Sequence, residues 1–489
     1  AWTFRTQKLD FSMKIQVDKI PTLITVDWGD GDHVSYRINS VFQYNGITHT
    51  YAAASTSPSG GYDVIVHASC PEEITGIWME NKGLMDVIDI HRLTNLEKFD
   101  VRSVGLSNDP FANDLTDITL GSHDKMTQYI ISGNVQLGGA LDVSPWLDLG
   151  ILSMAGCNYS SLTLNQHPKL INLVAASNQI TGPLNISNCP KLKEFNVNSN
   201  DIGPLQMGSS YNQMETFNIS ENSNLVCSGS TGNKLNISSM AQTLKSLSMI
   251  NVDIGELVTG GNQFDLLALI NAGDQDNVGL TQPILDISQM PELKTFSIAG
   301  NSVGQLVLPG ANNSLESFDV SNNSTLQFSS TFNLVDYQTL VDFDARECDI
   351  RVINTFNAQG QPCSMSLLKS FQLVGNYFAS GNLNLTGCPL IKIVNISGAG
   401  WTRFQLPSPA SNLCSVELES CTGLPSGPTP TGDIDNLVSM TLPNPSGVCI
   451  KEIKIKGFTP FYTPPSGWTF TTGSNPATYT KGAWTLITQ

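Results

Sequence analysis

At 489 residues the chain exceeds what one ordinary core absorbs, so it reads as several domains or an elongated repeat array. Its 42 acidic against 25 basic residues give a net charge of −17, and only 14% of residues are charged, so Asn, Ser, Thr, Gln and Gly must cover most of the surface. That balance argues against a nucleic-acid ligand, because phosphate binding needs clustered Lys and Arg, and no stretch of about 18 apolar residues offers a membrane span.

The chain opens Ala-Trp-Thr-Phe-Arg-Thr-Gln-Lys, without the basic and then apolar segments of a signal peptide. Two origins fit: an initiator Met trimmed before Ala1, or a leader already cut from a secreted precursor. Residues 10–67 carry Val26-Asp-Trp28-Gly29-Asp30-Gly31, then His49-Thr50-Tyr51, then Gly61-Tyr62-Asp-Val64-Ile-Val66. These motifs, in this order, resemble the PKD-type immunoglobulin-like domain, although the last lacks that family's spacer after Gly61. The resemblance implies a β-sandwich over 1–70 with Trp28 between its sheets and Tyr62, Val64 and Val66 pointing inward. Gly29 and Gly31 would supply turn conformations closed to bulkier residues.

Further along, segments headed by Leu170, Leu192, Leu293, Leu315 and Leu368 repeat one pattern: apolar at positions 1, 4 and 6, Asn at position 9, often an aliphatic at 11. Leu170, Leu173, Ala175, Asn178 and Ile180 make one set; Leu192, Phe195, Val197, Asn200 and Ile202 make the next. The pattern resembles the leucine-rich repeat. Weaker copies extend it over 71–455, giving sixteen heads at Leu96, Met126, Leu149, Leu170, Leu192, Met214, Leu244, Leu266, Leu293, Leu315, Leu340, Leu368, Ile391, Leu413, Leu437 and Ile450, with 22 as the commonest spacing. Strand alternation sends positions 4 and 6 inward and 3, 5 and 7 to solvent. The position-9 amides of Asn178, Asn200, Asn301, Asn323 and Asn376 should form a ladder that pairs bent backbone. Cys157, Cys348 and Cys421 take that place in three copies, and Cys is the usual alternate for Asn in the repeat this resembles.

A second apolar alternation, in Leu184/Ile186, Leu285/Ile287 and Leu383/Leu385, predicts a second strand per coil, with corners at Pro190, Pro291 and Pro389. Gly423-Leu-Pro-Ser-Gly-Pro-Thr-Pro-Thr-Gly432 reads as an exposed loop. Residues 456–489 crowd Phe458, Phe461, Tyr462, Trp468, Phe470, Tyr479 and Trp484, as a cap over the open end of a solenoid would. The fold class expected is therefore mostly β: an Ig-like sandwich, an irregular leucine-rich-repeat β-solenoid and a C-terminal cap.

All six histidines, His33, His49, His67, His91, His123 and His167, precede residue 168, which excludes histidine-dependent nucleophilic catalysis from the later coils. The ten cysteines contain no C-x-x-C pair and read as buried thiols rather than zinc or redox motifs. Asp27, Asp30 and Asp32 lie close enough to hold calcium, but without the spacing of a calcium loop; the turn reading is preferred. Asp274 and Asp276 read as a solvated loop. The N-x-[ST] sequons at Asn158, Asn185, Asn218, Asn236, Asn312, Asn322, Asn323, Asn384 and Asn395 read as products of the repeat grammar rather than glycosylation signals.

No catalytic, cofactor or metal residue is assigned. What remains is a polar surface of outward strand residues: Asn172, Val174, Glu194, Asn196, Thr216, Asn218, Thr295, Ser297, Ser317, Asp319, Ser370 and Gln372. Function is expected to be non-enzymatic adhesion or structure. The pairing of repeat and sandwich resembles surface proteins of Bacteroidota-type bacteria and virion proteins of their bacteriophages. A phage fibre, appendage or capsid-decorating protein is preferred, located in the virion; a secreted bacterial adhesin at the cell surface is the alternative, and a carbohydrate-active enzyme the third reading. The partners expected are virion or cell-surface proteins or host glycans, with no membrane insertion.

Overall fold

The computed structural model describes residues 1–42, 44–57, 60–104, 112–227, 233–273, 279–311, 313–376, 381–396, 401–406, 412–417, 452–455, 469–471, 477–481 and 484–488. The chain is nearly all β and divides into two compact units, Ala1–Asn233 and Lys234–Gln489.

The first unit opens with β1 (Trp2–Thr6), β2 (Asp10–Val17), β3 (Thr22–Asp27), β4 (His33–Ile38), β5 (Tyr44–Thr50) and β6 (Tyr62–Ala68). One antiparallel sheet runs β1-β6-β3-β4, and β2 pairs with β5 in a second. Alternation sets the buried faces of these two sheets. Trp2, Phe4, Phe11, Met13, Ile15, Val17, Ile24, Val26, Val64 and Val66 are all buried, each next to an outward residue. Trp28 is wholly buried, whereas Tyr62 is half-buried and stacks on Tyr51.

Two further strands join the sandwich to the repeats. β7 (Ile74–Trp78) runs antiparallel to β2 and parallel to Lys98–Asp100, and β8 (Leu84–Asp89) runs antiparallel to β1 and parallel to Asp114–Thr119. Both sheets therefore continue into the coils through β7 and β8, which pair on both sides. Ile74, Ile77 and Met79 are fully buried and occupy positions 1, 4 and 6 of a coil that the sixteen heads omit.

From Lys98–Asp100 a parallel ladder continues through Gln128–Ile130, Ile151–Ser153, Asn172–Val174, Glu194–Asn196 and Thr216–Asn218. From Gln128–Ile130 onward each strand buries only its middle residue, whereas Lys98–Asp100 also buries Asp100, and Leu152, Leu173, Phe195 and Phe217 stand in register. Neighbouring strands lie about 4.8 Å apart, so each inward side chain covers the next. Burying one such side chain is worth about 1.5–3 kcal/mol, and only stacking supplies that burial.

In the second unit the ladder runs Ser246–Ser248, Leu269–Asn271, Thr295–Ser297, Ser317–Asp319, Asp342–Asp344, Ser370–Gln372, Ile393–Asn395 and Ser415–Glu417. Phe296, Phe318, Phe343 and Phe371 form a continuous stack with centroids 5.1–5.7 Å apart. The repeat grammar and this paired-strand geometry define a leucine-rich-repeat β-solenoid. The second strand of each coil is present as well, in short sheets such as Thr181–Asn185 beside Asp201–Gln206 and Ile284–Asp286 beside Gln305–Val307.

Two expectations need correction. The coil headed at Leu266 starts at Leu267: Leu267 is fully buried, Leu266 is 46% exposed, and Ile270 and Ala272 take the inward places. The strand paired with Ser415–Glu417 is Glu452–Ile455, and the head at Leu437 lies outside the described residues. Seven cysteines are free thiols, but Cys414 is disulfide-bonded. The Gly423–Gly432 loop lies outside the described residues. In the tail, Trp484–Thr488 runs parallel to Glu452–Ile455, then pairs antiparallel with Ala477–Lys481, which pairs antiparallel with Thr469–Thr471.

Candidate binding surface

The outward positions 3 and 5 of successive coils form two columns on the parallel ladder. In the first unit Asn172, Glu194 and Thr216 stand in register, beside Val174, Asn196 and Asn218. In the second, Thr295, Ser317, Asp342 and Ser370 align beside Ser297, Asp319, Asp344 and Gln372. All are half-buried except Asp342, which is exposed, because strands on both sides flank them.

Not every polar group in these columns faces a ligand. The position-5 side chains of Asp100, Asn196, Asn218, Asp319 and Asp344 accept the backbone N–H two residues on, at 3.0–3.2 Å, and so hold the bend that ends each strand. Asn172 donates to Glu194 at 2.6 Å, and Gln372 reaches Ser370 and Asp344 at 3.5 and 3.4 Å. The hydroxyls of Thr216, Thr295, Ser297 and Ser317 have no hydrogen-bond partner among the described residues.

The same two-residue turn explains the sequons. Asn185, Asn236 and Asn384 each accept both the N–H and the hydroxyl of the Ser or Thr two residues on, and Asp286 serves Ser288 through its N–H alone. Asn-x-Ser here is corner chemistry. Asn312 is outside the described residues.

Behind the columns lies the interior ladder. Asn178 donates to the carbonyls of Met154, Ala175 and Ala176 and accepts from the N–H groups of Cys157 and Tyr159. Asn200, Asn301, Asn323 and Asn376 repeat the arrangement, each joining its own coil to the preceding one. Cys157 and Cys348 keep one such bond, from Sγ to the carbonyls of Ile131 and Val320, each at 3.1 Å. Burial pushes both thiols up to about 12, so neither is a thiolate at neutral pH. Cys421 lies outside the described residues. Sequence reading missed Asn113, Asn134 and Asn222, which make the same bonds. Asn134 and Asn222 sit at position 9 of the coils headed by Met126 and Met214, where the spacing would have found them.

The residue before Asn134, Asn178, Asn200, Asn222, Asn323, Cys348 and Asn376 is held at positive φ: Ser177, Ser199, Glu221, Asn322 and Glu347 lie at 52–57°, and Gly133 and Gly375 at 81° and 75°. This left-handed residue makes the tight bend.

In the sandwich, His49 stacks on Trp28 with centroids 4.8 Å apart and bonds Asp30 at 2.7 Å, while the Tyr51 hydroxyl donates to the Trp28 carbonyl. Burial alone would raise the pKa of Asp30. The bonds from His49 and the Asp32 N–H outweigh it and hold the carboxylate below its usual value. Asp30, Asp32 and His49 offer donor atoms within 4.8 Å of one another. Both Asp30 oxygens are already bonded, and Asp27 accepts the Gly29 N–H, so these groups close the turn on its own backbone. His123 and His167 are fully buried at coil corners, and burial lowers both pKa values. Asp274 and Asp276 lie outside the described residues.

No family model matches the sequence, and no curated protein matches it. Among solved structures the chain is similar to a leucine-rich-repeat protein of Leptospira interrogans, with 18% identity, 68% of this chain and 86% of that one covered, and a TM-score of 0.38. It is also similar to the functional domain of InlJ from Listeria monocytogenes, which includes a cysteine ladder, at 16% identity, 88% and 92% coverage and a TM-score of 0.44. The Arabidopsis receptor kinase HAESA, in complex with the peptide hormone IDA and the co-receptor SERK1, aligns at 12% identity, 83% and 77% coverage and a TM-score of 0.47. No helix among the described residues is long and apolar enough to cross a membrane.

Proposed function

We propose that the chain is a non-enzymatic adhesion or structural scaffold whose outward columns bind a protein or glycan surface. The observation that carries this reading is the outward column Thr295, Ser317, Asp342 and Ser370, three of whose four side chains are half-buried hydroxyls at the coil spacing, which suit many weak contacts. The tail strands, antiparallel beyond Trp484–Thr488, act as the C-terminal cap, and the first six strands are a PKD-like sandwich. The finer reading is a bacteriophage virion component, supported by the joining of that sandwich to the repeats. The disulfide at Cys414 favours a second reading, a secreted surface adhesin folded in an oxidising compartment.

The test is binding of the labelled chain to intact bacterial cells and to purified virions. A column variant carrying Thr295→Arg and Ser317→Arg should lose roughly tenfold or more in binding while keeping its melting temperature. Unchanged binding would remove the columns from the function. Portal and capsid genes beside the coding gene would support the virion reading, and a secretion cassette would overturn it.

A further inference from the structure

A recess of about 270 Å³ opens in the second unit between two consecutive coils. Its near wall is Gln327–Phe328 and the following Ser329, Ser330 and Thr331; its far wall is Asp349–Val352 of the next coil.

Three features define what it would hold. First, its polar wall is fixed in advance: Gln327 Nε2 donates to Asp349 Oδ2 at 2.6 Å, and Arg351 grips the same carboxylate through Nε and Nη2 at 3.0 and 2.9 Å. Second, the hydroxyls of the exposed Ser329, Ser330 and Thr331, and Arg351 Nη1, have no hydrogen-bond partner among the described residues. Third, the Asp349 and Arg351 charges cancel, and Phe328 and the 58% exposed Val352 supply apolar surface. A small recess lined by hydroxyl and guanidinium groups left free for a ligand, with no net charge and one aromatic residue in its wall, suits a neutral ligand carrying its own hydroxyls on an apolar ring. We propose that this recess binds a single neutral sugar residue of a glycan. The proposal rests on the adhesion reading and names the ligand class for one place on the second unit.

The test is ligand-observed NMR of the full chain with methyl glycosides of glucose, galactose, mannose and N-acetylglucosamine. One of the four should bind with a millimolar dissociation constant, as expected for so small a contact. Thr331→Val and Arg351→Ala should each weaken it by roughly tenfold, with Arg351→Lys intermediate and all three melting like the parent. Absence of binding by all four sugars, or binding untouched in both Thr331→Val and Arg351→Ala, overturns the inference. Cell binding that persists without sugar binding sinks the recess alone. Sugar binding beside a fully active column variant sinks the columns alone.

Discussion

Replacing Asn323 by Ala probes the interior ladder where it is best isolated. Asn323 is fully buried; its Nδ2 donates to the carbonyls of Ile298 and Val320 at 2.8 and 2.9 Å, and more weakly to Ser321 at 3.3 Å, while Oδ1 accepts from Val303 N–H at 3.2 Å. Alanine deletes every one of these bonds and strands the backbone groups away from water. A net hydrogen bond is worth about 1 kcal/mol and an orphaned buried partner costs about 1–3 kcal/mol, so two strong donated bonds and one accepted bond predict a loss of about 3–5 kcal/mol. Asn323→Cys should lose only about half as much, because Cys348 and Cys157 show that Sγ can restore one bond to the preceding coil. Urea unfolding of the three proteins measures the differences, and hydrogen exchange at the Val303 amide reads the local one. A loss below about 1 kcal/mol for Ala, or a Cys variant no better than Ala, would refute the account.

Other perturbations have equally definite outcomes. At the left-handed position, Ser177→Gly should raise stability by about 0.5–1 kcal/mol, since Gly meets φ of 53° without steric cost. Gly133→Ala should lower it by more than about 2 kcal/mol, because a Cβ there would sit 2.2 Å from the Ser103 carbonyl oxygen; thermal melts that move both variants in the same direction would contradict this. Phe195→Asp puts an unpaired charge where the ring now lies 5.1 Å from Phe217, and should unfold the adjacent coils, seen as lost exchange protection in Asn172–Val174 and Thr216–Asn218. His123 and His167 have folded pKa values lowered by burial, so the unfolded chain binds protons first as pH falls. Their contribution is complete above the unfolded value of about 6.5 and is lost below it. The melting temperature should drop between pH 7.5 and 5, and less steeply in a His123→Gln, His167→Gln double variant.

The repeat was readable because inward positions accept so few residue types. Leu, Phe, Ile and Val recur at 1, 4 and 6 wherever a strand buries only its centre, as Leu173, Phe195 and Phe318 do. The register slipped at Leu266-Leu267 because either leucine can head a coil, and only the spacing to Ile270 and Ala272 decides. The coil at Ile74 was hidden because its ninth residue is Lys82, whose backbone N–H is instead served by Asn113 from beyond an insertion. The Asn172–Gln372 columns followed from alternation, but alternation says nothing of which side chains are spent on their own backbone; Asn196, Asn218 and Asp319 are. The recess at Arg351 depends on how two consecutive coils, Gln327–Thr331 and Asp349–Val352, meet in space, which strand alternation alone does not encode.

The sequon at Asn323 has a practical corollary for production. Oligosaccharyltransferases modify nascent chains at the amide nitrogen, and here that atom is the one bonded to Ile298 and Val320. Asn185, by contrast, engages only its oxygen and would tolerate a sugar. Expression through a eukaryotic secretory pathway should therefore yield material defective at one coil, and Thr325→Val, which erases the acceptor signal, should rescue it.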